Sequence, residues 1–145
     1  MAAKTGVYPV FENKFKIGTS AESLNTIAEM ENFSVSIDGN VEEWSPMEQE
    51  GWLKRTVTGK ALTISLSGKR CIGDPGNDFV EASAWGTGSD CEAHFEWEFP
   101  SGAKLAFPCV LSVTNPGGGE SRNVAGLEFD VMSNGKPTFT PAAGA

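Results

Sequence analysis

One histidine, His94, stands in the whole sequence, and no nucleophile motif accompanies it, so the commonest base of enzymatic acid–base chemistry has nothing to activate. His94 alternates with Glu96 and Glu98, a spacing that describes a solvated strand face better than a metal site, since no fourth ligand is suggested. Cations are scarce as well: 11 Lys and Arg against 19 Asp and Glu leave a formal charge of −8. A tight grip on phosphates needs clustered Lys and Arg, so nucleic-acid binding is disfavoured. DNA that only slides past an acidic wall is compatible with such a charge.

Three cysteines, Cys71, Cys91 and Cys109, are odd in number and form no Cys-x-x-Cys or Cys/His cluster, which leaves them as free thiols of a reducing compartment. No apolar run approaches the ~18 residues of a membrane span, and residues 1–16 lack the apolar core of a secretory signal, so the expectation is a protein made in the cytosol. Gly59-Lys60-Ala61 and Gly68-Lys69-Arg70 lack the upstream glycine and following Ser or Thr of a phosphate loop. Lys60 and Lys69 are better placed to meet carboxylates of a neighbouring chain. Asp74, Asn77 and Asp78 lack the closing Glu of a calcium loop and suit a helix cap instead. No catalytic residue, metal site or cofactor is expected.

What is present is punctuation and alternation. Seventeen glycines and eight prolines break 145 residues into short elements, which favours strands over long helices in one domain spanning 1–145. Phe33, Val35 and Ile37 alternate with Ser34 and Ser36, and Asp38-Gly39-Asn40 then carries turn chemistry. Leu62, Ile64 and Leu66 alternate with Thr63, Ser65 and Ser67. Phe95, Trp97 and Phe99 begin a hairpin that Leu105, Phe107, Cys109, Leu111 and Val113 complete, with Pro108 suited to an edge or bulge. Leu127, Phe129 and Val131 give a last strand. One amphipathic helix is expected over about 75–85, capped by Asp74 or Asn77. Residues 1–19 and 138–145 are mixed or Pro/Ala/Gly-rich and are expected to be loose tails.

The segment 41–60 stands apart. Trp44, Met47 and Trp52 sit among Glu42, Glu43, Pro46, Gly51 and Gly59, which is loop chemistry carrying large apolar side chains. Such residues either fold back onto the core or dock on another subunit, and docking is the expectation here, through a long assembly loop over about 39–59. The acidic strand faces, Glu96 and Glu98 or Glu128 and Asp130, are either solvent-facing or the wall of a lumen; alternation does not choose between them.

The run Val-Glu-Glu-Trp44-Ser-Pro-Met47, Glu50-Gly-Trp52, Thr58-Gly-Lys60, the strand Leu62-Thr-Ile-Ser-Leu66, Gly68-Lys-Arg70 and Ile72-Gly-Asp-Pro-Gly-Asn-Asp78 resembles the major tail tube protein of long-tailed bacteriophages and phage-like elements. The likeness continues through Phe95-Glu-Trp-Glu-Phe-Pro100, Gly102-Ala-Lys-Leu105, Val113-Thr-Asn115, Gly117-Gly-Gly119 and Leu127-Glu-Phe-Asp-Val-Met-Ser133, about Lys14 to Pro137 in all. It rests on the ensemble, since no single motif is diagnostic.

That resemblance implies a mostly antiparallel β-sandwich or rolled barrel with one flanking helix. It implies a virion protein, not an enzyme, that forms stacked hexameric rings, the tail tube through which a genome is delivered. Its partners would be its own copies, a tape-measure protein, tail terminator and baseplate-side proteins, with DNA passing through without tight binding and no membrane contact. Trp44, Met47, Trp52 and Lys60 are then the expected contacts between subunits or rings. A tube protein of a phage-derived injection or secretion machine is the alternative. A carbohydrate-binding β-sandwich, stacking Trp44 or Trp52 on sugar rings, is the alternative of another class.

Overall fold

A computed structural model describes residues 6–142 and resolves the alternating segments into one antiparallel sheet. Its strands are β1 (Lys14–Gly18), β2 (Leu24–Thr26), β3 (Met30–Trp44), β4 (Lys54–Lys69), β5 (Glu92–Glu98), β6 (Lys104–Asn115), β7 (Gly126–Ser133) and β8 (Thr138–Thr140), with the helix α1 (Pro75–Ser83) between β4 and β5. The spatial order is β2-β1-β5-β6-β7-β4-β3, and β8 pairs with β6. The architecture is thus mostly antiparallel β with one flanking helix, as the sequence leads one to expect.

The sheet is rolled. β1 and β3 are far apart in the strand order, yet Phe15 and Phe33 meet edge to face at 4.8 Å, and Phe33 also meets Trp97 at 5.4 Å. Inside the roll the two-residue period puts Ile17, Ile64, Leu66, Phe95, Leu127, Phe129 and Val131 out of water, each 2% exposed or less. Cross-strand register places them in rows: Ile64 faces Val131, which faces Leu111, and Ile17 faces Phe95, which faces Phe107. Burying each such side chain contributes about 1.5–3 kcal/mol, so a one-residue slip of any central strand is prohibitively costly.

The helix closes one end of the roll. Pro75 opens it, and the Asp74 carboxylate caps it by accepting from the Asn77 and Ala28 backbone N–H groups at 3.0 and 3.1 Å. Asn77 is wholly buried and fully used. Its Oδ1 accepts from the Cys71 N–H and an Arg70 guanidinium N–H, while its Nδ2 donates to the carbonyls of Ala28 and Lys69. Arg70 also pairs with Asp78 at 2.8 Å and Glu81 at 3.7 Å. A β-carbon at Gly76 would run into the Thr26 carbonyl, so glycine there lets the first turn lie directly on β2. Trp85 falls just after the helix, exposed, its indole N–H on Glu81.

Three expectations change. Lys14–Gly18 and Thr138–Thr140, placed in loose tails, are strands: Phe15 and Ile17 enter the core, and β8 pairs Phe139 opposite Leu105. Residues 1–5 and 143–145 of those tails lie outside the described residues. Asp38-Gly39-Asn40 is no turn, because pairing with β4 runs straight through it to Trp44. Its turn chemistry serves a bulge instead: Asn40 faces Gly59 and Val41 faces Val57, leaving Thr58 as the extra residue, bonded to the Asn40 side chain at 2.7 Å. The segment expected as a loop over 39–59 is therefore a hairpin, and only its tip is irregular.

Replacing Asn77 by Ala should cost about 3 kcal/mol, because two carbonyls, an N–H and a guanidinium lose their buried partner together; urea denaturation measures it. Burial pushes the Cys109 thiol up to about 12. A thiol reagent at neutral pH should modify the half-buried Cys71 and Cys91 in the native protein and reach Cys109 only on unfolding. The sign for stability follows: the unfolded thiol ionises first, so the stability that burial of Cys109 provides is present below its ordinary pKa and lost as pH rises toward 12.

Candidate assembly surface

Pairing between β4 and β7 begins only at Thr63, opposite Met132. Beyond that point β3 and β4 continue as a two-stranded arm that the rest of the sheet does not accompany. From Asp38 to Trp44 the arm extends about 20 Å at ~3.3 Å per residue. At its tip Met47–Gln49 form a 3-10 turn, and Glu50 (φ 52°) and Gly51 (φ 94°) reverse the chain through left-handed backbone. Glycine takes that conformation without strain.

The arm keeps the core's alternation after it has left the core. On the face that carries Phe33 inside the roll, Val35, Ile37, Gly39 and Val41 follow at two-residue intervals, with Val57 opposite Val41. Val35, Ile37, Val41 and Val57 are all exposed. Glu43 and Arg55, paired at 3.6 Å, end this apolar stripe. On the opposite face and at the tip stand Trp44, Met47, Trp52 and Leu53, with Met47 98% and Trp52 78% exposed. Apolar area of this extent on a thin projection makes the arm a candidate contact surface.

Of the expected contact residues, Trp44, Met47 and Trp52 lie together at one end of the arm, whereas Lys60 lies near its root on β4, opposite Gly39. Sequence reasoning did not single out Ile37, Val41, Val57 and Leu53, which are exposed apolar residues of the same arm. The signal was there, since Phe33, Val35, Ile37 and Val41 keep the even spacing across Asp38-Gly39-Asn40, and the turn chemistry masked it.

The four acidic candidates share the outward face of the sheet but differ in company. Glu96 pairs with Lys16 at 3.9 Å, and Glu98 with Lys14 and Lys104 at 4.0 and 3.7 Å. Glu128 and Asp130 have no cation within ion-pair distance among the described residues. Glu128 lies between Ser67 and Asn115, and Asp130 between Ser65 and Ser112, with Asn32 and Ser34 continuing the rows onto β3. This is a short-chained, polar, net-negative face. His94 sits between Gly18 and Pro108 in the register, and among the described residues no three His, Cys, Asp or Glu side chains are grouped as metal ligands. No helix among the described residues is long and apolar enough to cross a membrane.

The overall fold is similar to that of chains in solved structures of gene transfer agent particles. A chain of the tail of an empty gene transfer agent particle, solved with C6 symmetry, superposes with a TM-score of 0.73 at 19% identity, covering 93% of this chain and 100% of that one. A chain from the virion of a native gene transfer agent particle superposes with a TM-score of 0.66 at 19% identity and the same coverage. At that identity the likeness is one of fold. No protein-family model and no curated protein matches the chain.

The two kinds of tryptophan should separate in denaturation. Trp97 packs on Phe15, Phe33 and Phe99, so Trp97→Ala should destabilise the monomer by about 3 kcal/mol. Trp52→Ala should shift it by less than about 0.5 kcal/mol, as expected for an exposed side chain with no intrachain role.

Proposed function

We propose that this chain is a structural tail protein whose copies close into rings and stack into a tube, the conduit through which a genome leaves a virion. The observation that carries the reading is the arm: about 20 Å of hairpin, apolar on one face and tipped by Trp44, Met47 and Trp52, makes no sense in an isolated monomer. Support comes from the fold it shares with the tail of a particle solved with C6 symmetry. On this reading the arm reaches the adjoining subunit or ring and its tryptophans fill pockets there, since buried aromatics dominate interface energies. The rings are hexameric and this chain performs no catalysis.

The polar face bearing Glu128 and Asp130 then lines the lumen. Its acids lack the lysines that neutralise Glu96 and Glu98, so it repels phosphates and lets DNA slide. A tape-measure protein inside the tube during assembly, and terminator and baseplate-side proteins at its ends, complete the set of partners. The chain is made in the host cytoplasm and functions in the virion.

Electron microscopy and sedimentation of the purified protein test the reading directly: rings or hollow tubes are expected, and a monomer under all salt and concentration conditions would refute it. Trp52→Ala should raise the critical concentration for assembly about 30-fold, equivalent to about 2 kcal/mol per contact, without changing monomer stability. Glu128→Lys with Asp130→Lys should leave tubes intact while making them retain DNA in a salt-dependent gel shift.

A further inference from the structure

Helix α1 has two apolar faces, and the body covers only one of them. Gly76, Asn77, Val80 and Ser83 are buried against the roll, whereas Phe79, Ala82 and Trp85 follow at helical spacing on the other side, Phe79 half-buried, Ala82 and Trp85 exposed. Trp85 is fixed in place despite its exposure: its indole N–H donates to Glu81 at 2.9 Å, and Glu81 is held in turn by Arg70 at 3.7 Å. A second carboxylate stands beside it. A β-carbon at Gly86 would collide with the Asp90 side chain, so glycine there lets Asp90 fold against the backbone directly after Trp85. Phe79, Ala82, Ser83, Trp85, Gly86 and Asp90 together line one open groove. Among the described residues Asp90 has no cation within ion-pair distance.

We propose that this groove receives Arg122 of a second copy, its guanidinium lying over the Trp85 ring between the carboxylates of Glu81 and Asp90. A fixed aromatic face bordered by acids suits a planar cation, and arginine over tryptophan is the favoured pairing. Charge and position single out Arg122. Four cations among the described residues have no ion-pair partner: Lys54, Lys60, Arg122 and Lys136. Lys54 and Lys60 are on the arm and Lys136 lies beside its root, in a groove with Gly59 and Ala61, whereas the helix follows the other end of β4. Arg122 alone stands at the helix end, on the exposed β6–β7 loop whose Ala125 carbonyl accepts from the Arg70 N–H at 2.9 Å. Within one chain the helix leads away from that loop, from Arg70 at its start to Cys91 beyond its far end, whose thiol donates to the Ser83 and Gly86 carbonyls. Arg122 and Trp85 thus lie at the same end of the body but on different sides of it. In a ring whose arms all point one way, rotation preserves that level, and the loop of one copy meets the helix of the next head to tail. Val124, exposed beside Arg122, supplies an apolar contact for Ala82 and Phe79.

The inference rests on the ring reading and adds a contact that the arm does not make. Arg122→Glu, Asp90→Arg and the two combined test it in the full chain. Both residues are exposed and neither has an ion pair to lose, so equal urea midpoints would verify that the monomers are intact. Each single variant should raise the critical concentration for assembly about 10-fold, by removing a cation from the ring or a carboxylate from beside it and setting like charges together. The combined variant exchanges the two charges across the same contact and should return to within about threefold of the wild type. Trp85→Ala added to Arg122→Glu should weaken assembly no further than Arg122→Glu alone, because both remove one contact. Assembly of Arg122→Glu at the wild-type concentration, or no recovery in the combined variant, would overturn the proposal while leaving the tube reading intact, since another surface would then cover the helix. Failure of the wild type itself to form any ring would remove both.

Discussion

The register between β3 and β4 is the constraint on which the rest depends. One long pairing, from Met30 opposite Gly68 out to Trp44 opposite Lys54 and shifted at Met30/Asn32 and Asn40/Val41, builds a wall of the core at one end and the whole of the arm at the other. Leu62, Ile64 and Leu66 lock it, because a shift of one position would turn all three into water. Everything further out inherits that decision: which side Val41 and Val57 occupy, where Thr58 bulges, and which way the tryptophans at the tip are presented. A core made of short-range alternation thus dictates the geometry of a surface that has no core of its own.

The helix contributes the complementary restraint. Asn77 and Arg70 join three separate segments, the β2–β3 connection at Ala28, the end of β4 at Lys69, and the first turns of α1, through buried hydrogen bonds and two ion pairs. Buried polar groups are tolerable only when every donor and acceptor is used, and here Asn77 uses all of its capacity. The outcome is a well-braced body from which a single hairpin extends.

How much of this could be read beforehand follows the physics of each segment. Strands with one face in the core, such as Leu62–Leu66 and Leu127–Val131, announced themselves through alternation, and Asp74-Pro75 announced the helix. The short β1 and β8 did not, because Lys14-Phe-Lys-Ile-Gly18 and Thr138-Phe-Thr140 hold too few alternating residues, and long-range pairing with β5 and β6 makes them strands. Asp38-Gly39-Asn40 misled for the opposite reason: strong local turn chemistry was overridden by a register set several residues away. The exposure of Trp44, Met47 and Trp52 was legible from the loop chemistry around them. The division of the acids into a lysine-paired group and an unpaired one was not, since it depends on which strands become neighbours.

The bulge at Asn40 and Thr58 has a mechanical meaning. It lies near the root of the arm, where the ladder of backbone bonds is interrupted, and beyond it there is a lever several residues long with heavy side chains at its end. A torque applied at the tip is concentrated at that interruption, sparing the body behind it. A bend at that bulge would let the hairpin take up small rotations between whatever it connects. In a stack of many copies, curvature would accumulate from such small deflections at each bulge while every folded body kept its shape.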